Sequence, residues 1–145
     1  MKKQLMKLNL TIFFILILSG CVSGMKMKAD FDKHTISSDP LCDSMFFRKY
    51  MDANLWATTS YFTWAKQNFV NGTNFYSCGW ATNKTVSEDA TDAEIMAVAL
   101  GNCERYKKQR YGHQAIQFES RCKILFKGYE LYDENSNNSD SIDLQ

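Results

Sequence analysis

The chain has 145 residues, with 17 Lys and Arg against 16 Asp and Glu, for a formal net charge of +1. Three of those bases, Lys2, Lys3 and Lys7, stand ahead of the first apolar run, so the remainder carries 14 bases against the same 16 acids, or −2. This balance argues against a nucleic-acid binder, and the length suits one small domain rather than two.

Behind the basic start comes Leu8 to Leu18, rich in Leu, Ile and Phe. A basic start, an apolar core of about ten residues and small residues before a cut site make a secretory signal. The run is short for a membrane span, which needs about 20 residues. It stops at Ser19-Gly20-Cys21 and not at a basic stop-transfer cluster. Leu18-Ser19-Gly20-Cys21 resembles the lipobox of bacterial lipoproteins. The resemblance implies that residues 1–20 are a signal peptide, that the Cys21 thiol accepts a diacylglyceryl group, and that the new N-terminus is acylated (palmitate being the usual chain). The partner so implied is the membrane, through acyl chains on Cys21. Each buried methylene contributes about 0.8 kcal/mol, and two chains already anchor stably. Val22 stands where enteric lipoproteins retained in the inner membrane carry Asp, which implies an outer-membrane position facing the periplasm.

Setting Cys21 aside for lipid leaves Cys42, Cys78, Cys103 and Cys122. Four cysteines in an oxidising compartment imply two disulfides, with three connectivities open to them. A zinc site or a redox pair needs a short C-x-x-C, which is missing, so no metal and no cofactor is expected.

Residues 21–38 are polar, with Lys26, Lys28 and Lys33, and read as a lipidated tether. Asp39-Pro40 reads as a helix start, since Asp caps and Pro fits the first helical position. A helix is then expected from Leu41 to about Leu55, with Phe47, Tyr50, Met51, Asn54 and Leu55 on one mostly apolar face. Trp56 to Phe69 is dense in aromatics, and the expectation is a bend or a second short helix carrying core side chains. Asn71-Gly72-Thr73 is a turn. Phe75 to Thr82 alternates as a strand, with Tyr76, Cys78, Trp80 and Thr82 facing the core.

Thr85-Val86-Ser87-Glu88 and Thr91-Asp92-Ala93-Glu94 both fit a capping box. The helix that follows, to about Lys108, places Ala93, Met96, Ala97, Leu100 and Cys103 on one face. Acids crowd its start; Arg105, Lys107, Lys108 and Arg110 crowd its end, which suits the helix dipole. The same four bases are the candidate contact for an anionic surface. Residues 115–118 and 121–126 read as strands, with Cys122, Ile124 and Phe126 on one face, and Tyr129 to Tyr132 as a last short strand. Residues 133–145 are expected to be disordered.

Cys103 ends the inner face of the long helix and Cys122 lies on the inner face of the following strand, so the natural pairing is Cys103 with Cys122 and Cys42 with Cys78. Gly79-Trp80-Ala81, Ala99-Leu100-x-x-Cys103 and the Cys122 strand also resemble small repeats in uncharacterised bacterial envelope proteins, a resemblance that implies no activity.

No G-x-S-x-G, H-E-x-x-H or phosphate-cradling loop appears, so no catalytic residue is nominated. The expectation is a single α+β domain over 39–132, with helices packed on a small, mostly antiparallel sheet stapled by two disulfides. Its expected role is as a lipid-anchored, non-catalytic module that binds an envelope protein or polymer. The alternatives are a small envelope enzyme acting on peptidoglycan or glycans, and an accessory or exclusion lipoprotein of a mobile element.

Overall fold

The computed structural model describes residues 22–68, 72–112 and 120–133. Helix α1 covers residues 22–33 and is followed by a 3-10 turn, Ile36–Ser38. A π-helical stretch, Cys42–Phe47, runs straight into α2, Arg48–Asn54. Then come β1 (Ser60–Asn68), β2 (Asn74–Thr82), the short α3 (Asn83–Val86), α4 (Asp92–Tyr111), β3 (Lys123–Lys127) and β4 (Glu130–Leu131). The four strands form one antiparallel sheet in the order β2-β1-β3-β4. The fold is therefore α+β, with α1 and α2 covering one face of the sheet and α4 the other.

The first face is filled by aromatic rings. Phe31 of α1 and Phe47 stack with centroids 4.0 Å apart, and both meet Phe62 of β1 edge-on, at 5.8 and 5.7 Å. Phe126, Tyr50, Trp64, Tyr76 and the Cys42–Cys78 bridge complete this cluster. Burial of one such side chain contributes about 1.5–3 kcal/mol. The second face is built for close approach. A Cβ on Gly79 would lie 2.3 Å from Cys103 N and 2.7 Å from Ala99 O, so only glycine lets the α4 backbone come this near. Thr63 Oγ1 donates to Ala99 O at 2.9 Å, and Ser77 Oγ donates to Cys103 O at 2.7 Å.

Several expectations change. The stretch read as a tether, 21–38, belongs to the body from residue 22 onward: Met27, Phe31 and Ile36 are fully buried. Its lysines hid the pattern. Lys28 lies over the Phe31 ring at 5.1 Å and bonds Asp32 and Asp43, so it covers the core while keeping its charge in water. Helix α1 runs antiparallel to the π-helical stretch and α2. A Cβ on Gly24 would lie 3.3 Å from Met51 Cε, while Phe31, further along α1, meets Phe47, earlier in the second helix. The aromatic stretch expected as a bend or helix is strand β1, whose Tyr61 and Phe62 point to opposite faces. Its run of Thr, Tyr, Phe and Trp suits a pleated surface buried on both sides.

Helix α4 starts as expected, with a Thr91–Glu94 capping box, but faces the sheet through Ile95, Ala99 and Cys103. Ala93 and Ala97 are exposed. The contact at Gly79 sets the helix phase, and the alanines supply too little surface to oppose it. The other capping box is Thr82 with Thr85, one turn earlier than Thr85 with Glu88. In β3 a register shift opposite Phe62/Thr63 adds one residue, so Phe126 turns to the aromatic face while Ile124 stays on the α4 face.

Candidate functional site

The two bridges are those expected from the face pattern. Cys42–Cys78 has its Cα atoms 5.6 Å apart and Cys103–Cys122 6.2 Å, both inside the range that a disulfide spans. Local structure explains each. Asp39 Oδ1 accepts from Leu41 N at 3.0 Å and from Cys42 N at 3.1 Å, so the cap orients the turn that carries Cys42. Cys122 N donates to Glu104 Oε1 at 2.8 Å, which sets the return of the chain beside α4. Burial works against ionisation of Glu104, yet the bonds from Cys122 N–H and Lys107 hold its carboxyl below the ordinary range. Cys21 and the signal peptide lie outside the described residues, as do the strand expected at 115–118 and the tail beyond Asp133.

The four bases of α4 do not make one patch. Arg110 Nη1 donates to Asp39 Oδ2 at 2.7 Å, so one buried carboxylate caps the second helix and grips the end of α4. Phe46 and Tyr106 meet beside this pair at 4.7 Å, so the two helical layers touch around the outer edge of β2. That contact covers an edge strand that would otherwise be open to pairing. Lys107 bonds Glu104 and Ser120 O. Arg105 donates to Asn102 Oδ1 at 2.7 Å on the surface, and Lys108 is exposed. Two of the candidate surface contacts therefore hold the fold, and two face water.

The surface has shallow grooves. One, of about 590 Å³, is lined by His34, Trp64, Lys123 and Tyr132. His34 Nδ1 lies 2.9 Å from the Asp30 carbonyl oxygen, so its described partner is main chain and not a carboxylate. The Lys123 ammonium sits 5.3 Å from the Trp64 ring centroid. Among the described residues, Trp64 Nε1 and Asn54 Nδ2 are buried without a hydrogen-bond partner. A second groove, of about 400 Å³, holds Glu130 and Asp133 beside Lys127. Both acids are exposed and lack the apolar enclosure that a general acid needs.

At the near end of β1, Tyr61 Oη and Lys127 Nζ each donate to Asp92 Oδ2 at 2.8 Å. Burial pushes the Tyr61 hydroxyl up to about 12. Burial also opposes the charge on Asp92, but the bonds from Lys127 and Tyr61 prevail and hold that carboxyl low. This network ties the start of α4 to the sheet. Among the described residues there is no group of three His, Cys, Asp or Glu side chains placed to hold a metal, and no helix long and apolar enough to cross a membrane. Trp56, grouped by sequence with the core aromatics, is an exposed residue just past the end of α2. Its position after the last helical turn and before Thr58-Thr59-Ser60 is the one sequence sign that sets it apart. The chain matches no protein-family model, no curated protein and no solved structure.

Proposed function

We propose that this chain is a lipid-anchored protein of the bacterial envelope, held by acyl chains on Cys21 at the periplasmic side of the outer membrane. Its body acts as a non-catalytic module that binds an envelope protein or polymer. The observation that carries this reading is the cysteine count. Of five cysteines, Cys42, Cys78, Cys103 and Cys122 are consumed in pairs, and the one left over is the last residue of Leu18-Ser19-Gly20-Cys21. Paired cysteines fit an oxidising compartment, and a lipobox needs one free thiol. The non-catalytic part rests on how the described polar groups are used. Asp39, Asp92 and Glu104 bind helix ends, main-chain N–H groups and cations within the fold.

The test is Cys21→Ser in the producing cell. The expected result is loss of acylation and release from the membrane fraction. A variant that stays uncut and membrane-bound would refute the lipid anchor. A reproducible hydrolase activity abolished by Glu130→Gln would refute the non-catalytic reading.

A further inference from the structure

Eight large apolar residues are exposed among those described, and they fall into two groups. Trp56 is 79% exposed, Met25 and Leu55 66% each, and Val22 61%. The other four, Leu41, Met45, Val98 and Leu131, lie between 36% and 48%. The first group is gathered at one end of the molecule. Gly24 lies beside Met51 in the antiparallel pair, so Val22, before Gly24, and Leu55, after Met51, lie toward the same end of the two helices. Trp56 follows directly, with its N–H bonded to Ala53 O at 3.3 Å. Lys26 and Asp52 are exposed on the flanks of this end.

The covalent chain leaves from the same end. Val22 is the first described residue, and Cys21 is the residue covalently bonded to it in the sequence. The apolar run Leu8 to Leu18 lies upstream of that point. With α1 packed into the core from Met27 and Phe31, no tether separates the acylated residue from the body.

We infer that Val22, Met25, Leu55 and Trp56 form a membrane-contact surface, seated on the phospholipid bilayer that receives the acyl chains. The inference rests on the proposed lipid anchor and adds an orientation to it. The two-helix end faces lipid, Trp56 lies at headgroup depth where amphipathic rings collect, and the opposite end of the sheet faces the periplasm. Acyl chains alone would leave the body free to tumble above the bilayer. Four apolar side chains beside the attachment point give it one preferred pose.

The test uses the full acylated chain, reconstituted in phosphatidylethanolamine–phosphatidylglycerol vesicles with ordinary or brominated acyl chains. Tryptophan emission is read together with vesicle flotation. The expected result is flotation with loss of emission on bromination, and no such loss in Trp56→Phe, whose remaining Trp64 and Trp80 belong to the body. Flotation with emission unchanged by bromination would overturn the contact surface and leave the anchor standing. Equal quenching in wild type and Trp56→Phe would overturn the assignment to this end. Failure to float would overturn the anchor and the contact surface together.

Discussion

Toward α1 and α2 the sheet presents Phe62, Trp64, Tyr76 and Phe126; toward α4 it presents Thr63, Ser77, Gly79 and Ala81. The first set fills volume with rings that meet stacked, tilted and edge-on. The second set removes volume, so that a helix backbone can lie on a strand backbone and accept hydrogen bonds from buried hydroxyls. Aromatic burial contributes through the area it removes from water, about 1.5–3 kcal/mol per side chain. Close approach fixes where α4 sits. Each face carries one disulfide, so the sulfur chemistry is shared between two packings that need different kinds of support.

Mutations can break or sharpen that contrast. Phe62 touches Phe31, Phe47, Tyr50 and Phe126. Phe62→Ala should cost about 3–5 kcal/mol in denaturant unfolding of the oxidised protein; a loss under 1 kcal/mol would contradict this contribution of the aromatic face. Removal of Cys42–Cys78, which spans a separation of 36 residues, should cost about 4 kcal/mol on the chain-entropy model. Removal of Cys103–Cys122, at a separation of 19, should cost about 3 kcal/mol. A reversed order in paired Cys→Ser variants would show native strain or residual structure outweighing loop length.

Gly79→Ala adds one methyl yet should cost about 1–3 kcal/mol, because the atoms that the methyl would meet at 2.3 and 2.7 Å are helix backbone and cannot rotate away. A neutral Gly79→Ala would show that α4 is not pressed on β2. Thr63→Val keeps the shape and removes the bond to Ala99 O, and should cost about 1 kcal/mol.

Acid and alkali should act most gently, through the polar ties. Asp92 and Glu104 are held below the ordinary carboxylate range in the folded chain. Their contribution is complete above the unfolded-state values and is lost as pH falls through the lower folded ones. Tyr61 and Tyr111, pushed up by burial to about 12 from 10.0, act at the other limit: their contribution is complete below 10.0 and is lost as pH rises towards about 12. The urea midpoint should decline on both sides, and an Asp92→Asn variant should lose part of the acid limb. An unchanged acid limb would detach Asp92 from stability.

Sequence disclosed those parts whose signals are local. Asp39-Pro40 announced a cap that Leu41 and Cys42 N–H groups use, Thr91 and Glu94 announced the start of α4, and alternation from Phe75 to Thr82 announced β2. The cysteine pairing followed because helix and strand faces could be read separately. Hidden were features decided by the whole fold. The buried residues of α1, Met27 and Phe31, sit among lysines that serve as cover. Buried on both faces, β1 lost the alternation that marks a strand with one face in water. The phase of α4 is fixed by an absent side chain at Gly79, and the face of Phe126 by one extra residue in β3. The exposed end at Trp56 was concealed for a related reason: an aromatic residue reads as core until its neighbours in space are known.

The most direct measurement is the intact mass of the protein drawn from cell envelopes, taken before and after reduction. The expected species is a chain beginning at Cys21, heavier by a diacylglyceryl group and an N-terminal acyl chain, that gains four hydrogens on reduction of its two bridges. An unmodified chain beginning at Met1, with its mass unchanged by reductant, would contradict it.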